Sequence, residues 1–248
     1  LSSGSIAHNS ELGEIFIQIC DETIPLPQAI EMARAKAERH PLFDVQLAQQ
    51  IPTTQNPLSL LQGSKALRAL EILDAISPGN RLVVALAGLM QTPSEKIRSK
   101  AALLLGRRVQ SIDWAQLCSR ESDPRVRANI LEALWGSTSP SAIEIFRKAM
   151  ADPEPRIAAN AALGIYKHDQ EEGGQLLSAL QRHSDSRFRC SALWAIAQTG
   201  DAKFLPTLRG SLQDADPRKR SIAVRGLMSL RKAATTEVPA ESMTATVA

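Results

Sequence analysis

The chain has 248 residues, 44% of them hydrophobic and 22% charged, with a formal net charge of +3 and three cysteines. These proportions exclude a disordered chain, a collagen-like chain and a disulfide-dense scaffold. With 35 Ala and 30 Leu against 4% Phe, Trp and Tyr, the balance favours packed helices over sheets, so the expected fold class is all-α.

In chain order, residues 1–10 lack periodicity and are expected to be disordered. Residue 1 is Leu, which leads to the expectation of a chain that was trimmed or cut from a longer one. Glu11 and Glu14 surround Ile15, Phe16 and Ile17, and no basic segment precedes an apolar one as in a secretory signal. Residues 11–79 are expected to form a helical N-terminal cap with a degenerate first repeat. A helix is predicted at 27–39, with Ile30, Met32, Ala33 and Ala37 as its apolar positions, followed by short and long helical segments at 42–51 and 57–77. The longest apolar stretch, 82–90, is well short of the roughly 18 residues that cross a bilayer, so no membrane span is expected. Cys20, Cys118 and Cys190 form neither a CxxC pair nor a disulfide framework. A reduced compartment follows, with the cytoplasm as the expected location.

From residue 80 to 232 the chain repeats. Arg98, Arg127, Arg156, Arg189 and Arg220 are spaced by 29, 29, 33 and 31 residues, a period that marks stacked supersecondary units. Four residues before each arginine stands Ser94, Asp123, Asp152, Asp185 or Asp216, followed in three copies by Pro124, Pro153 or Pro217. An Asp or Ser that accepts from free backbone amides, then a Pro with no amide to leave unpaired, is a helix start. Three residues after the arginine comes Ala101, Ile130, Ala159, Ala192 or Ala223, and seven after it Leu105, Leu134, Leu163, Ile196 or Leu227. Those offsets share one helical face, which identifies the buried stripe. Gly106, Gly136 and Gly164 are expected to end their helices. Shorter apolar segments at about 80–91, 112–119, 140–150, 172–182 and 201–213 precede the capped helices, so the unit is an antiparallel helix pair that buries its stripe only by stacking. Residues 233–248 have no periodicity and are expected to be a disordered tail.

The motif Asp-Pro-x-Val-Arg-x-x-Ala/Ile, followed by Ala-Leu and Gly, resembles the HEAT repeat, most closely at 123–136 and 152–164, with degenerate copies at 94–106, 185–200 and 216–230. The family's aspartate six residues before the arginine is matched by Asp214, with Glu121 a near equivalent and Thr92, Met150 and His183 in the other copies. The resemblance implies an armadillo-type α-solenoid, a right-handed superhelix of stacked antiparallel helix pairs whose second helices line the concave side. It also implies a scaffold or protein–protein interaction module that binds a protein partner there.

The arginines recur at the repeat period, as structural residues do, and are expected to hydrogen bond carbonyls or acidic groups of a neighbouring repeat. Positions that vary between copies are the better recognition candidates. The fifth residue after the arginine reads Leu103, Glu132, Ala161, Trp194 and Arg225. Trp194 and Arg225 are the expected anchors, with Glu132 as a specificity charge, and Leu103, Arg107, Lys100, Asn129 and Gln198 bordering the same groove. The histidines, His8, His40, His168 and His183, form no zinc spacing, and none is followed by Glu as in the HEAT-type deoxyhypusine hydroxylases. No GxSxG, Walker or GxGxxG pattern points to catalysis, and no metal or cofactor is implied. An accessory role of the bilin lyase type, whose repeats share the Val-Arg-x-x-Ala pattern, is the alternative. Nucleic-acid binding is the lesser reading: Arg107, Arg108 and the run Arg218, Lys219, Arg220 carry charge, but aromatic residues are too few for a stacking platform.

Overall fold

A computed structural model of the chain describes residues 3–56, 58–77, 79–109, 112–137 and 139–236, with side chains described between residues 11 and 232. Among these residues there are fourteen α-helices and no strand. The chain divides into two compact units, Leu1–Leu134 and Trp135–Ala248, and each is built as an α-solenoid of helix pairs.

The first unit holds α1 (Ser3–Ile19), α2 (Leu26–Arg39), α3 (Phe43–Gln49), α4 (Gly63–Ile76), α5 (Val83–Leu89), α6 (Glu95–Gly106), α7 (Trp114–Arg120) and α8 (Pro124–Ala133). The second helices α2, α4, α6 and α8 pack on one another in that order, and each also touches the first helix that precedes it. Residues 3–10, expected to be disordered, form the start of α1, whose Leu12, Phe16 and Ile19 are buried. The expected covering helix at 27–39 is therefore the second member of a pair, with Ala29 and Ala33 as its buried positions.

The second unit holds α9 (Pro140–Ala149), α10 (Pro155–His168), α11 (Gln170–Gln181), α12 (Ser186–Thr199), α13 (Leu205–Gly210) and α14 (Pro217–Thr236). Here α10, α12 and α14 form the layer of second helices, with α9, α11 and α13 as their partners. The segment 201–213 is broken: α13 is flanked by 3₁₀ turns at Ala202–Phe204 and Ser211–Gln213. Pro206 has no amide with which to continue hydrogen bonding from the first turn into α13. Residues 233–236 belong to α14; the rest of the expected tail lies outside the described residues.

The buried stripe sits at the repeated offsets. Ala101, Ile130, Ala159, Ala192 and Ala223 are fully buried, as are Leu105 and Leu163, and Leu134 and Ile196 nearly so. Alanine three residues after the arginine in four of the five copies lets second helices approach, and the aliphatic one turn later fills the space between them. The glycines meet the expectation at Gly106 and depart from it at Gly164. Gly164 lies inside α10 rather than at its end, and a Cβ there would stand 2.6 Å from the Phe146 ring. Gly106 does close α6, but its Cβ would stand 2.2 Å from that of Ala133 in α8. Both are glycine because another helix occupies the place of a side chain.

Helix starts follow the caps with one shift. Ser94 accepts from the Ile97 amide, Asp123 from those of Arg125 and Val126, Asp185 from Arg187 and Asp216 from Arg218. Asp152 accepts from the Glu154 amide, but α10 begins only at Pro155. A residue before proline is pushed out of the α region, and Glu154 is accordingly extended at φ −88°, ψ 116°, so the Glu154-Pro155 step delays the helix past Pro153 and places Arg156 in its first turn.

The repeated arginines bond free carbonyls, as expected, and these carbonyls belong to the turn that leads into the arginine's own helix. In four copies Nη1 donates to the carbonyls six and five residues earlier: Arg98 to Thr92 and Pro93, Arg127 to Glu121 and Ser122, Arg189 to His183 and Ser184, Arg220 to Asp214 and Ala215. Those carbonyls belong to the turn between first and second helix, where a chain leaving one helix lacks intrahelical partners. The position six before the arginine has a matching task, since Glu121, His183 and Asp214 each accept the amide two residues on, at 2.8, 3.1 and 2.9 Å. Arg98 also reaches the next repeat, through Glu121 at 2.8 and 3.0 Å. Arg127→Ala removes two guanidinium to carbonyl bonds and is expected to cost roughly 1–2 kcal/mol, seen as a lower Tm with partner capture intact. An unchanged Tm with capture lost would make this arginine a recognition residue.

Candidate functional site

The varied positions five residues after each arginine separate by unit. In the first unit Leu103 and Glu132 are half-buried, and Arg107 is exposed but donates to Asp74 at 2.8 Å. Lys100 lies 3.7 Å from Glu71, and Arg108 also reaches Asp74, at 3.5 Å. Acidic groups of α4 thus engage cations in α6 and just after its end. Asn129 is buried in α8 and donates to the Ser99 hydroxyl of α6 at 2.6 Å, so it joins two helices rather than bordering a groove.

In the second unit the candidates converge. Trp194 and Gln198 of α12 line one cleft with Ile222, Arg225, Gly226 and Ser229 of α14, and Ala197 completes it. Its volume is about 190 Å³. The cleft exists because the two helices approach closely at its base, where a Cβ on Gly226 would stand 2.8 Å from that of Ala197. Trp194 is half-buried, Gln198, Arg225 and Ser229 are exposed, and Val224 and Met228 on the same helix are exposed apolar residues. Ala161, at the equivalent offset in α10, is fully buried.

A residue outside the repeat register completes the surface. Trp135 is half-buried and its ring lies 6.3 Å from that of Trp194, tilted by 39°. Its indole N–H donates to the Asn160 carbonyl at 2.9 Å, which fixes the ring against α10. Lys167 Nζ stands 5.7 Å from the Trp135 ring centre, within reach of a cation–π interaction. Both indoles pack on the core cluster that includes Ala158, Ala162 and Leu163, so one face of each is held by the protein. Trp135 comes eight residues after Arg127, in the turn that follows α8, a position that comparing the offsets within helices passes over; the signal for it was its composition, one of three tryptophans in the chain.

Two larger clefts lie elsewhere. One of about 660 Å³ in the first unit is lined by Leu12, Glu14, Phe16, Ile17, Gln46 and Leu60 among others. The other, about 710 Å³, lies on the first-helix side of the second unit, where Lys203 stands 4.5 Å from the Tyr166 ring centre and Tyr166 donates to Asp201 at 2.5 Å. Burial, and the bond to Asp201, push the Tyr166 hydroxyl above the ordinary tyrosine range. Burial likewise pushes the Cys20 thiol up to about 12, which keeps it protonated and unreactive. Among the described residues no group of three or more His, Cys, Asp or Glu is placed to hold a metal ion, and no helix is long and apolar enough to cross a membrane.

Stacked helix pairs with a capped, arginine-clamped second helix define a helical-repeat protein. A family model of HEAT repeats matches residues 113–179 and 173–244, together more than half of the chain, and the chain belongs to the HEAT-repeat family. No curated protein matches it. Among solved structures it is similar to human deoxyhypusine hydroxylase in complex with glycerol, at 14% sequence identity over 92% of this chain and 99% of that one, with a TM-score of 0.38.

Proposed function

We propose that the chain is a protein-recognition module whose working surface is the second-helix side of the second unit, with Trp194 and Arg225 as anchors. The observation that carries this reading is the cleft between α12 and α14, where a half-buried indole, an exposed guanidinium and exposed amide and hydroxyl groups meet. Aromatic and arginine side chains set in a preformed depression are what interface hot spots are made of. Rigid helices hold them in place, so little ordering entropy is lost on binding. Glu132, Leu103 and Arg107 are not needed as anchors on this reading, since Arg107 is held by Asp74. The recognition is passive, and no step of chemistry is assigned to the chain.

The test is a capture experiment from source extract with the intact chain and with a Trp194→Ala, Arg225→Glu double variant whose helicity and Tm match the parent. The expected result is a protein retained by the parent, lost with the variant, and bound again by the parent when purified and titrated by calorimetry. Equal retention by both forms would remove the anchors. Retention of nucleic acid or a chromophore in place of a protein would replace the reading.

A further inference from the structure

The second helices of the two units differ in charge. In the second unit no Asp or Glu stands anywhere on α10, α12 or α14. Among the described residues its carboxylates stand in caps and turns, such as Asp169, Asp185, Asp201 and Asp214, and on the first helices, as Glu144, Glu171 and Glu172 do. In the first unit, by contrast, α4 carries Glu71 and Asp74, α6 carries Glu95 and α8 carries Glu132.

Several cations of the acid-free layer are already committed. Arg189 and Arg220 hold their own turns, Arg187 forks onto Asp185, and Lys219 bonds Asp214 at 2.9 Å. What remains beside the tryptophans is Arg225 on the cleft and Lys167 over Trp135. These two face a surface with no carboxylate of its own layer to neutralise them.

We propose that this cleft takes an acidic peptide segment, one that carries a single apolar side chain flanked by carboxylates. The inference rests on the reading above that this face is a recognition surface, and adds what it recognises. The apolar side chain enters between Trp194, Ala197, Ile222 and Gly226, where a volume of about 190 Å³ has room for such a group. A carboxylate beside it meets the Arg225 guanidinium, whose fork accepts both oxygens, and a second lies toward Lys167. Gln198 and Ser229 on the rim supply donors and acceptors for the segment's backbone. Nucleic acid is the weaker match. Bases need open aromatic faces in a row along a basic track, whereas Trp135 and Trp194 tilt against each other with one face of each packed on the core.

The test lets the protein choose from a random-peptide display library, using the full chain, followed by anisotropy titration of the recovered peptides. Expected are clones rich in Asp and Glu around one aliphatic or aromatic residue, weakened roughly tenfold by Arg225→Glu and largely restored by Arg225→Lys. Ser229→Glu, at an exposed position on the rim, is expected to weaken them as well. Clones that depend on Trp194 yet are neutral or basic, or ignore Arg225→Glu, would overturn the acidic specificity and leave the recognition reading standing. A library with no clone dependent on Trp194 would overturn both. Tighter binding of a labelled single-stranded oligonucleotide at the same face, with affinity falling steeply between about 50 and 200 mM salt, would assign the site to nucleic acid instead.

Discussion

Replacing Glu121 by Ala is expected to destabilise the first unit by about 2–4 kcal/mol, the range for removing one partner of a largely buried, hydrogen-bonded ion pair. The Arg98 and Glu121 side chains are 15% and 9% exposed. One carboxylate takes both Nε and Nη2 of Arg98 and also the Asp123 amide. Without it the guanidinium keeps the Thr92 and Pro93 carbonyls on Nη1 but leaves two donors unmatched. Denaturant unfolding and hydrogen exchange at α6 and α8 read the loss. Its pH dependence has a definite sign. Burial pushes the Glu121 carboxyl up, but the bonds from Arg98 and the Asp123 amide more than offset this and hold it below the ordinary glutamate value. A folded value below the unfolded one means stability that is complete above the unfolded value and lost as pH falls through the folded one. The gap between parent and Glu121→Gln should therefore narrow on acidification below the ordinary glutamate range; a gap constant with pH would show that charge plays no part.

The repeat was legible because structure fixes residue type at a fixed offset: an arginine that holds its turn, then a buried apolar residue three later, alanine in four copies, and an aliphatic seven later. Which carbonyls the arginines bind was not legible. Their acceptors are backbone carbonyls, such as those of His183 and Ser184, and a carbonyl has no identity in a sequence. The late start of α10 was written in Glu154-Pro155, but the preceding Asp152-Pro153 pair carries the stronger cap signal. For the candidate site, the offset that groups Trp194 with Arg225 was visible, and the structure puts both on one cleft. Trp135 was not grouped with them because it lies beyond the end of its helix and reaches Trp194 only through packing on α10. The absence of acids from three helices could be read letter by letter; it becomes a surface only once those helices are known to share a layer.

Gly173 and Gly174 offer the sharpest contrast in sign, since helix propensity treats them alike. Alanine is favoured over glycine by about 1 kcal/mol inside a helix, so both substitutions in α11 would be expected to stabilise. A Cβ on Gly173, however, would stand 2.2 Å from Tyr166 Cα and 2.3 Å from its backbone nitrogen. Tyr166 cannot yield easily: its ring packs on Phe204 at 5.9 Å between centres and its hydroxyl is held by Asp201. The backbones of α10 and α11 must separate, and Gly173→Ala is expected to lose a net 2–3 kcal/mol or so, as overpacked cores do. On Gly174 the nearest atom to a new Cβ is Lys203 Nζ at 3.3 Å, the far end of a flexible side chain. Gly174→Ala should therefore be neutral or raise stability by up to about 1 kcal/mol. Thermal unfolding of the two variants side by side decides the matter, because equal shifts would mean that α10 and α11 are not in backbone contact at Gly173, and with that the packing that holds α10 beneath both tryptophans would have to be redrawn.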